Sequence, residues 1–88
     1  MKSFRFRQGD VLLVWGEPLD NFYQPKLSHL VLAEGEVTGH KHQITNGQAE
    51  LIRKDEVLFL RVLSETATLC HEEHQHIQIP QGTYIEPI

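Results

Sequence analysis

The sequence predicts an all-β fold, a small antiparallel β-barrel or sandwich of about seven strands. Glycine or proline recurs at short intervals along the 88 residues, and the stretches between them have the length of strands. These stretches are rich in Val, Ile, Leu and Thr, which favour strands. No stretch shows the length and periodicity of an ordinary helix. Short strands joined by tight turns are typical of small barrels and sandwiches.

Three strands are predicted in the first third of the chain. The segment 4–7 alternates phenylalanine with arginine, which is the pattern of a strand with one buried face. After a turn at 8–10, the segment 11–15 is an uninterrupted apolar run, which fits a strand buried on both faces. Residues 19–28 are interpreted as irregular, and the segment 29–33 is the third predicted strand.

The pair Asn46-Gly47 predicts a β-hairpin. It stands between the alternating segments 41–45 and 48–53. Asn-Gly favours a type I′ turn because both central residues of that turn need a positive φ. A two-residue loop at this point would place His42 opposite Leu51. We therefore expect the two segments to pair with each other, and His42 to face an apolar environment.

The second half of the sequence contains the predicted central strand. The segment 57–63 is the most hydrophobic stretch of the chain. Polar or glycine-containing turns are predicted at 64–66 and 80–82. The remaining strands are predicted at 67–71, 76–79 and 83–88.

Length and composition predict one domain, residues 1–88, in the cytoplasm. Cys70 is the single cysteine, so no disulfide can form within the chain and a reducing compartment is expected. The net charge of −4 argues against nucleic acid or an anionic membrane as a partner. The apolar run 11–15 is too short to span a bilayer. Because so short a chain buries little core, a homodimer is one expected arrangement.

Five of the six histidines fall into two clusters. The first is the pair His40 and His42, which follows a glycine-containing bend at 34–39 and opens a predicted strand. Side chains two residues apart on a strand share a face, so both imidazoles could reach one metal ion. The second cluster is the segment 71–76, and His29 stands apart as an ordinary strand residue.

The register of the second cluster has two alternatives. A two-residue loop would set His71 opposite His74, which suits metal ligation but mixes apolar and polar faces. A three-residue loop would pair Leu69 with Ile77 and His71 with Gln75. Hydrophobic matching favours the second register, with His71 facing inward and the direction of His74 left open.

The most specific functional hypothesis is a mononuclear metal site. His40 and His42 would be two ligands and His71 the third. The candidates for a fourth ligand or a supporting contact are His74, His76, Glu72 and Glu73. Such imidazoles suit Zn²⁺, Fe²⁺, Mn²⁺ or Ni²⁺, and ligand type does not choose among these divalent transition metals. A metal-bound water could act as a nucleophile. Whether the protein is an enzyme, and which small-molecule ligand it would take, the sequence leaves undetermined.

The alternative from a different class is a structural or protein-interaction module without a metal. In that reading the histidines are polar strand and turn residues, which would also respond to pH below neutrality. Other chemistries lack their residues, since there is no nucleophile elbow, no phosphate-binding glycine loop after a strand and no pair of cysteines. Cys70 and His71 are adjacent on a predicted strand and would point to opposite faces, which argues against a thiol–imidazole pair.

Four motifs carry a resemblance that covers most of the chain. They are Arg7-Gln8-Gly9-Asp10-Val11-Leu12, Leu32-Ala33-Glu34-Gly35-Glu36-Val37-Thr38-Gly39-His40-x-His42, His71-Glu72-Glu73-His74 and Ile79-Pro80-x-Gly82-x-Tyr84. Together they are similar to a group of short uncharacterised bacterial proteins. That group has no established activity to carry over. The resemblance implies that the two histidine clusters belong together.

The motif His40-x-His42 and the later Pro80-x-Gly82 also resemble a fragment of the cupin pattern. The glycine that cupins place before the first histidine is Glu34 here, and the histidine expected after the second motif is Ile85. Only the first two histidines match. For these two residues the resemblance implies a metal-ligating role.

Overall fold

The computed structural model describes residues 5–16, 26–35, 37–55 and 57–86. These residues form seven strands in one antiparallel sheet that curls into a half-barrel, and they contain no helix, which confirms the predicted all-β class. In this part of the chain there is accordingly no helix long and apolar enough to cross a membrane. The strands are β1 (Arg5–Gln8), β2 (Val11–Trp15), β3 (Val31–Glu34), β4 (Lys41–Thr45), β5 (Ala49–Lys54), β6 (Val57–His71) and β7 (His74–Glu86).

Strand β6 is the centre of the sheet. The strand order is β1-β2-β7-β6-β4-β3, and β5 also pairs with β6. One edge of β6 pairs with β7 along most of its length. The opposite edge is shared, because β5 pairs with the first half of β6 and β4 with the second half. The prediction that the hydrophobic segment 57–63 lies centrally is confirmed.

The hairpin predicted at Asn46-Gly47 does not form. Strands β4 and β5 both run antiparallel to β6, at 68–70 and at 57–62, and therefore run in the same direction as each other. The asparagine of the pair has a φ of 49° and lies at a bend between the two strands instead of a reversal. The predicted pairing of His42 with Leu51 is wrong, because the long strand β6 offers a pairing edge to both segments and tertiary context overrides the local turn preference.

The turns predicted at 64–66 and 80–82 lie inside long strands. Strand β6 continues through 64–66, and β7 continues through 80–82. The register is irregular there, with three residues of β6 between Val62 and Thr66 opposite a single residue of β7. This irregularity is a β-bulge, where proline and glycine are tolerated because the ladder of backbone hydrogen bonds is interrupted.

The bulge changes which side chains of β6 face the core. Leu60 and Val62 are buried before it, and Ala67 and Leu69 are buried after it. A regular alternation continued from Val62 would have turned Leu69 outward, so the bulge returns apolar residues to the interior. The same phase places His71 on the side of the strand that carries Ala67 and Leu69.

The third strand begins two residues later than predicted. His29 lies in a bend before β3, and its Nδ1 accepts a hydrogen bond from the backbone N–H of Val31 at 3.1 Å. His29 is therefore a bend residue and not the strand residue that the sequence predicted. Of the segment interpreted as irregular, residues up to 25 lie outside the described residues.

The apolar core lies inside the curl of the sheet. Tyr84 is its largest fully buried side chain, and it packs edge-on against Phe6 and Trp15 at centroid distances of 5.8 and 5.5 Å. Its hydroxyl donates to the Pro80 carbonyl at 2.8 Å. We call this region, Phe6, Trp15 and Tyr84, the aromatic end. The buried core residues are Val11, Leu13, Leu32, Ile44, Leu51, Leu58, Leu60, Val62, Ala67, Leu69, Ile79 and Tyr84.

Candidate functional site

The two histidine clusters meet at one end of the half-barrel, where they line a cleft of about 390 Å³. Four of the predicted metal-ligand candidates, His40, His42, His71 and His74, lie in this cleft. His29 and His76 are not among the lining residues. The cleft is lined by Gly9, Asp10, Ala33, Glu34, Gly35, Thr38, His40, His42, His71, Glu73 and His74.

A second bulge, next to the β6–β7 turn, brings His71 opposite His74. The register contains the pairs Leu69–Ile77 and His71–His74, with one more residue on β7 than on β6 between them. The predicted Leu69–Ile77 pair and the inward direction of His71 are confirmed, and the predicted His71–Gln75 pair is wrong. The bulge lets the apolar pair and the histidine pair form in one hairpin.

The four imidazole rings lie close together. The ring centroids of His42 and His71 are 4.1 Å apart, and those of His71 and His74 are 4.6 Å apart. His40 stands edge-on to His71 at 5.6 Å, and His42 lies 5.9 Å from His74. The two clusters thus form a single group of imidazoles, which we call the histidine end.

His42 is the buried member of the histidine end, with 7% of its surface exposed. It lies on the same face of β4 as the core residue Ile44, but its side chain meets the Gln8 amide and neighbouring imidazoles and not the predicted Leu51. Burial, and then the neighbouring His71 and His74, lower the pKa of His42 below its ordinary value. The ring is therefore neutral at pH 7, which is the form that binds metals.

The buried side chain of Gln8 determines which nitrogen of the neutral His42 ring carries the proton. No sequence motif predicted this role for Gln8. The Gln8 Nε2 donates to the carbonyls of Leu69 at 3.0 Å and Gln75 at 2.8 Å. Since a carbonyl only accepts, these two bonds identify the amide nitrogen, and Oε1 is the atom 2.9 Å from His42 Nδ1. An amide oxygen only accepts as well. The neutral His42 ring therefore carries its proton on Nδ1 and keeps a lone pair on Nε2.

Gly9 makes room for two of the rings. Its φ is +58°, in the left-handed region that favours glycine. A Cβ at this position would lie 2.7 Å from His74 Nε2 and 3.3 Å from His42 Cε1. The bare backbone of Gly9 therefore forms a floor on which the edges of His42 and His74 converge.

The other two rings have partners around the β6–β7 turn. The Nδ1 of His71 accepts the backbone N–H of Glu73 at 3.0 Å, so the neutral His71 ring carries its proton on Nε2. The Nδ1 of His40 lies 3.6 Å from a Glu73 carboxylate oxygen, a distance for an ion pair when His40 is protonated. Glu72 accepts the backbone N–H of Lys41 at 3.0 Å, and this bond lowers the Glu72 pKa.

Within the described ranges, no three His, Cys, Asp or Glu side chains stand in positions that would hold a metal ion. The cleft therefore gathers the predicted ligands without arranging them as a finished coordination sphere. Rotation of side chains is needed to make one.

A family model matches residues 7–85, which is nearly the whole chain. The chain belongs to a family described as a domain of unknown function, DUF8820. The matched region includes Gln8 and both histidine clusters. Comparison with curated proteins and with solved structures gives no significant match. The family description assigns no activity, so the function has to be argued from the cleft.

Proposed function

We propose that the cleft binds a divalent transition-metal ion through imidazoles drawn from His40, His42, His71 and His74. The observation that carries this proposal is the state of His42, whose ring is buried and neutral and keeps an unprotonated Nε2 beside three further imidazoles. A metal ion needs deprotonated, neutral ligands of this kind. The ligand set suits Zn²⁺, Fe²⁺, Mn²⁺ or Ni²⁺.

The spacing of the rings supports a shared ion. With metal–nitrogen bonds of about 2.0–2.1 Å in a tetrahedral arrangement, the centroids of two ligating imidazoles lie about 5 Å apart. The observed separations run from 4.1 Å for His42–His71 to 5.9 Å for His42–His74. The separation that a shared ion requires therefore lies within the observed range.

The four imidazoles differ in how readily they can become metal ligands. His42 and His74 are the first pair, because both already meet over Gly9. His74 is exposed and His40 is half-buried, so their rings can turn at little cost. His71 would have to give up the hydrogen bond from Glu73. We therefore assign His42 and His74 as the core of the site and one of His40 and His71 as its third ligand.

The carboxylates that line the cleft are also compatible with the binding of a divalent metal ion. Asp10, Glu34 and Glu73 line the cleft, and their negative charge would offset that of a divalent ion. The cleft of about 390 Å³ also has room for more than one ion with its waters. An open coordination position would face this space, where a water or a small molecule could bind.

Elemental analysis of tag-free protein, combined with thermal melting before and after chelation, tests the proposal. We expect a near-stoichiometric transition metal and a melting temperature that falls on chelation, because the ion binds only the folded protein. The variant H42A should lose tight binding, while the matched variant H76A, which removes an exposed histidine outside the cleft, should keep it. Absence of metal, with no shift on adding Zn²⁺, Fe²⁺, Mn²⁺ or Ni²⁺, would contradict the proposal.

The second candidate is a protein-interaction module, with a homodimer as its simplest form. Trp15 and Leu63 are 41% and 44% exposed although both are large and apolar. The Trp15 ring packs over Gly82, and the Leu63 carbonyl accepts from the side chain of Gln81, so both lie near the same part of β7. Light scattering at several protein concentrations tests this candidate. A dimeric mass that becomes monomeric in L63Q would support it, and a monomer at all concentrations would reject the dimer.

A further inference from the structure

We infer that Gln8 is a positioning residue of the histidine cleft, whose side-chain amide selects the His42 tautomer that leaves Nε2 able to bind a metal ion. The inference rests on the metal-binding function proposed above. It adds a residue on β1 that carries no ligand atom itself and lies far from both histidine clusters in the sequence.

The orientation of the Gln8 amide is locked by its partners. Its nitrogen donates to the carbonyls of Leu69 and Gln75, and its oxygen faces the Nδ1 of His42. A flipped amide would bring its oxygen against two carbonyl oxygens and lose both bonds. Because Gln8 is only 2% exposed, water would not replace them. The amide oxygen is therefore held as an acceptor toward His42.

The tautomer of His42 follows from this acceptor. An oxygen at 2.9 Å from Nδ1 requires the proton to be on Nδ1, which leaves the lone pair of the ring on Nε2. Histidines that bind metals through one ring nitrogen commonly donate the other N–H to a carbonyl or a carboxylate. Gln8 supplies such a partner from a side-chain amide.

Two other histidines of the chain show that this tautomer is not a default. In both His29 and His71, Nδ1 accepts a backbone N–H from the residue two positions later. These neutral rings therefore carry the proton on Nε2, the opposite tautomer. His42 differs from them because its Nδ1 meets the oxygen of Gln8 and not a backbone N–H. The difference between His71 and His42, which lie in one cleft, thus has an identified cause.

The burial of Gln8 also needs a reason. A polar side chain inside a core costs free energy unless its hydrogen bonds are made, and an apolar side chain at the same place would need none. All three polar contacts of the Gln8 amide are made, to β6, to β7 and to His42 on β4. The first two hold the amide in place, and the third acts on the ring that faces the cleft.

The test uses Q8L, which removes the acceptor for the Nδ1 proton of His42. This variant also loses stability, so V62A serves as a control, because it weakens the core at a buried β6 position that pairs with Gly82, away from the cleft. In metal-free protein, the ¹⁵N shifts of the His42 ring report the tautomer. A competition titration with Zn²⁺ then reports the affinity of each variant.

We expect the Nδ1–H tautomer of His42 in the wild-type protein and in V62A, and its loss in Q8L. The Zn²⁺ affinity of Q8L should fall by about 10- to 100-fold, with V62A remaining near the wild-type value. An Nε2–H tautomer of His42 in the wild-type protein would overturn the inference, and this measurement needs no variant. Affinity in Q8L equal to that in V62A would also overturn it. If the tautomer shifts as expected but the wild-type protein binds no Zn²⁺, Fe²⁺, Mn²⁺ or Ni²⁺, the tautomer selection stands and the metal-binding function fails.

Discussion

The aromatic end and the histidine end lie along one hairpin, β6–β7, but bury opposite kinds of side chain. At the aromatic end, Leu60 and Val62 face inward beside Tyr84, which packs against two further aromatic rings. At the histidine end, the buried residues include Gln8 and His42, and both are polar. Apolar burial stabilises a fold directly, whereas polar burial at best recovers its own cost. The comparison indicates that the aromatic end contributes more to stability, and the histidine end is the part for which we propose metal binding.

The largest effect is expected from L60A. The Leu60 side chain is 1% exposed and lies opposite Tyr84, so its truncation leaves a cavity in the core. Removing a buried leucine side chain costs about 2–5 kcal/mol of unfolding free energy. Denaturant unfolding measures this loss, and a Zn²⁺ titration below the melting temperature should show unchanged affinity. A loss of Zn²⁺ affinity in fully folded L60A would show that the two ends are not independent.

The next effect comes from comparing G9A with G39A, which separates the cost of backbone strain from the effect of filling the cleft. Gly9 and Gly39 both have a positive φ, so alanine at either position should cost about 1–2 kcal/mol in denaturant unfolding. Of these two positions, the new Cβ would meet a ring at Gly9, at 2.7 Å from His74 Nε2, whereas at Gly39 no atom of the described residues lies within 4 Å of it. G9A should therefore lose Zn²⁺ affinity and G39A should keep it. Equal affinities in the two variants would mean that the floor of the cleft is not part of the site.

The smallest effect is a pH dependence on the β5–β6 side of the sheet, away from the histidine end. A hydrogen bond to Lys26, together with the nearby Arg61, lowers the pKa of the Glu50 carboxyl below its ordinary value of 4.5. A carboxyl whose pKa is lower in the folded protein contributes stability above pH 4.5, and this contribution is lost as the pH falls through the folded-state pKa. E50Q should cost less than about 1 kcal/mol at pH 7, since Lys26 is mostly exposed. Unfolding curves of wild type and E50Q should converge in acid, and a constant difference down to pH 3 would contradict this origin.

The class of the fold and the place of its central strand follow from the sequence because alternation and strand-forming residues are local properties. The run 57–63 is central, and the segments 11–15 and 41–45 are strands with the predicted bounds. The meeting of His42 with His71 does not follow from local patterns, because it depends on the pairing of β4 with β6, whereas the Asn46-Gly47 motif predicted that 41–45 would pair with 48–53.

The register could not be predicted, because bulges decide it and bulges resemble turns in a sequence. Polar residues at 64–66 and the proline and glycine at 80–82 are typical of chain reversals, but here they lie in continuous strands. Gln8 was missed for a different reason. Its partners Leu69, Gln75 and His42 are 61, 67 and 34 residues away, so no local pattern marks its role.

The continuous β6–β7 hairpin also sets an order of folding. Its strands are joined by a two-residue turn, so they pair at a low cost in loop entropy. The contacts of Gln8 with Leu69 and Gln75 join residues that are 61 and 67 positions apart, and contacts of such length form late. We therefore expect the hairpin to be formed in the transition state and the histidine end to be completed after it. Changes at Gln8 or His42 should then speed unfolding while leaving the folding rate almost unaltered. For the same reason, an ion bound at the histidine end would lower the unfolding rate.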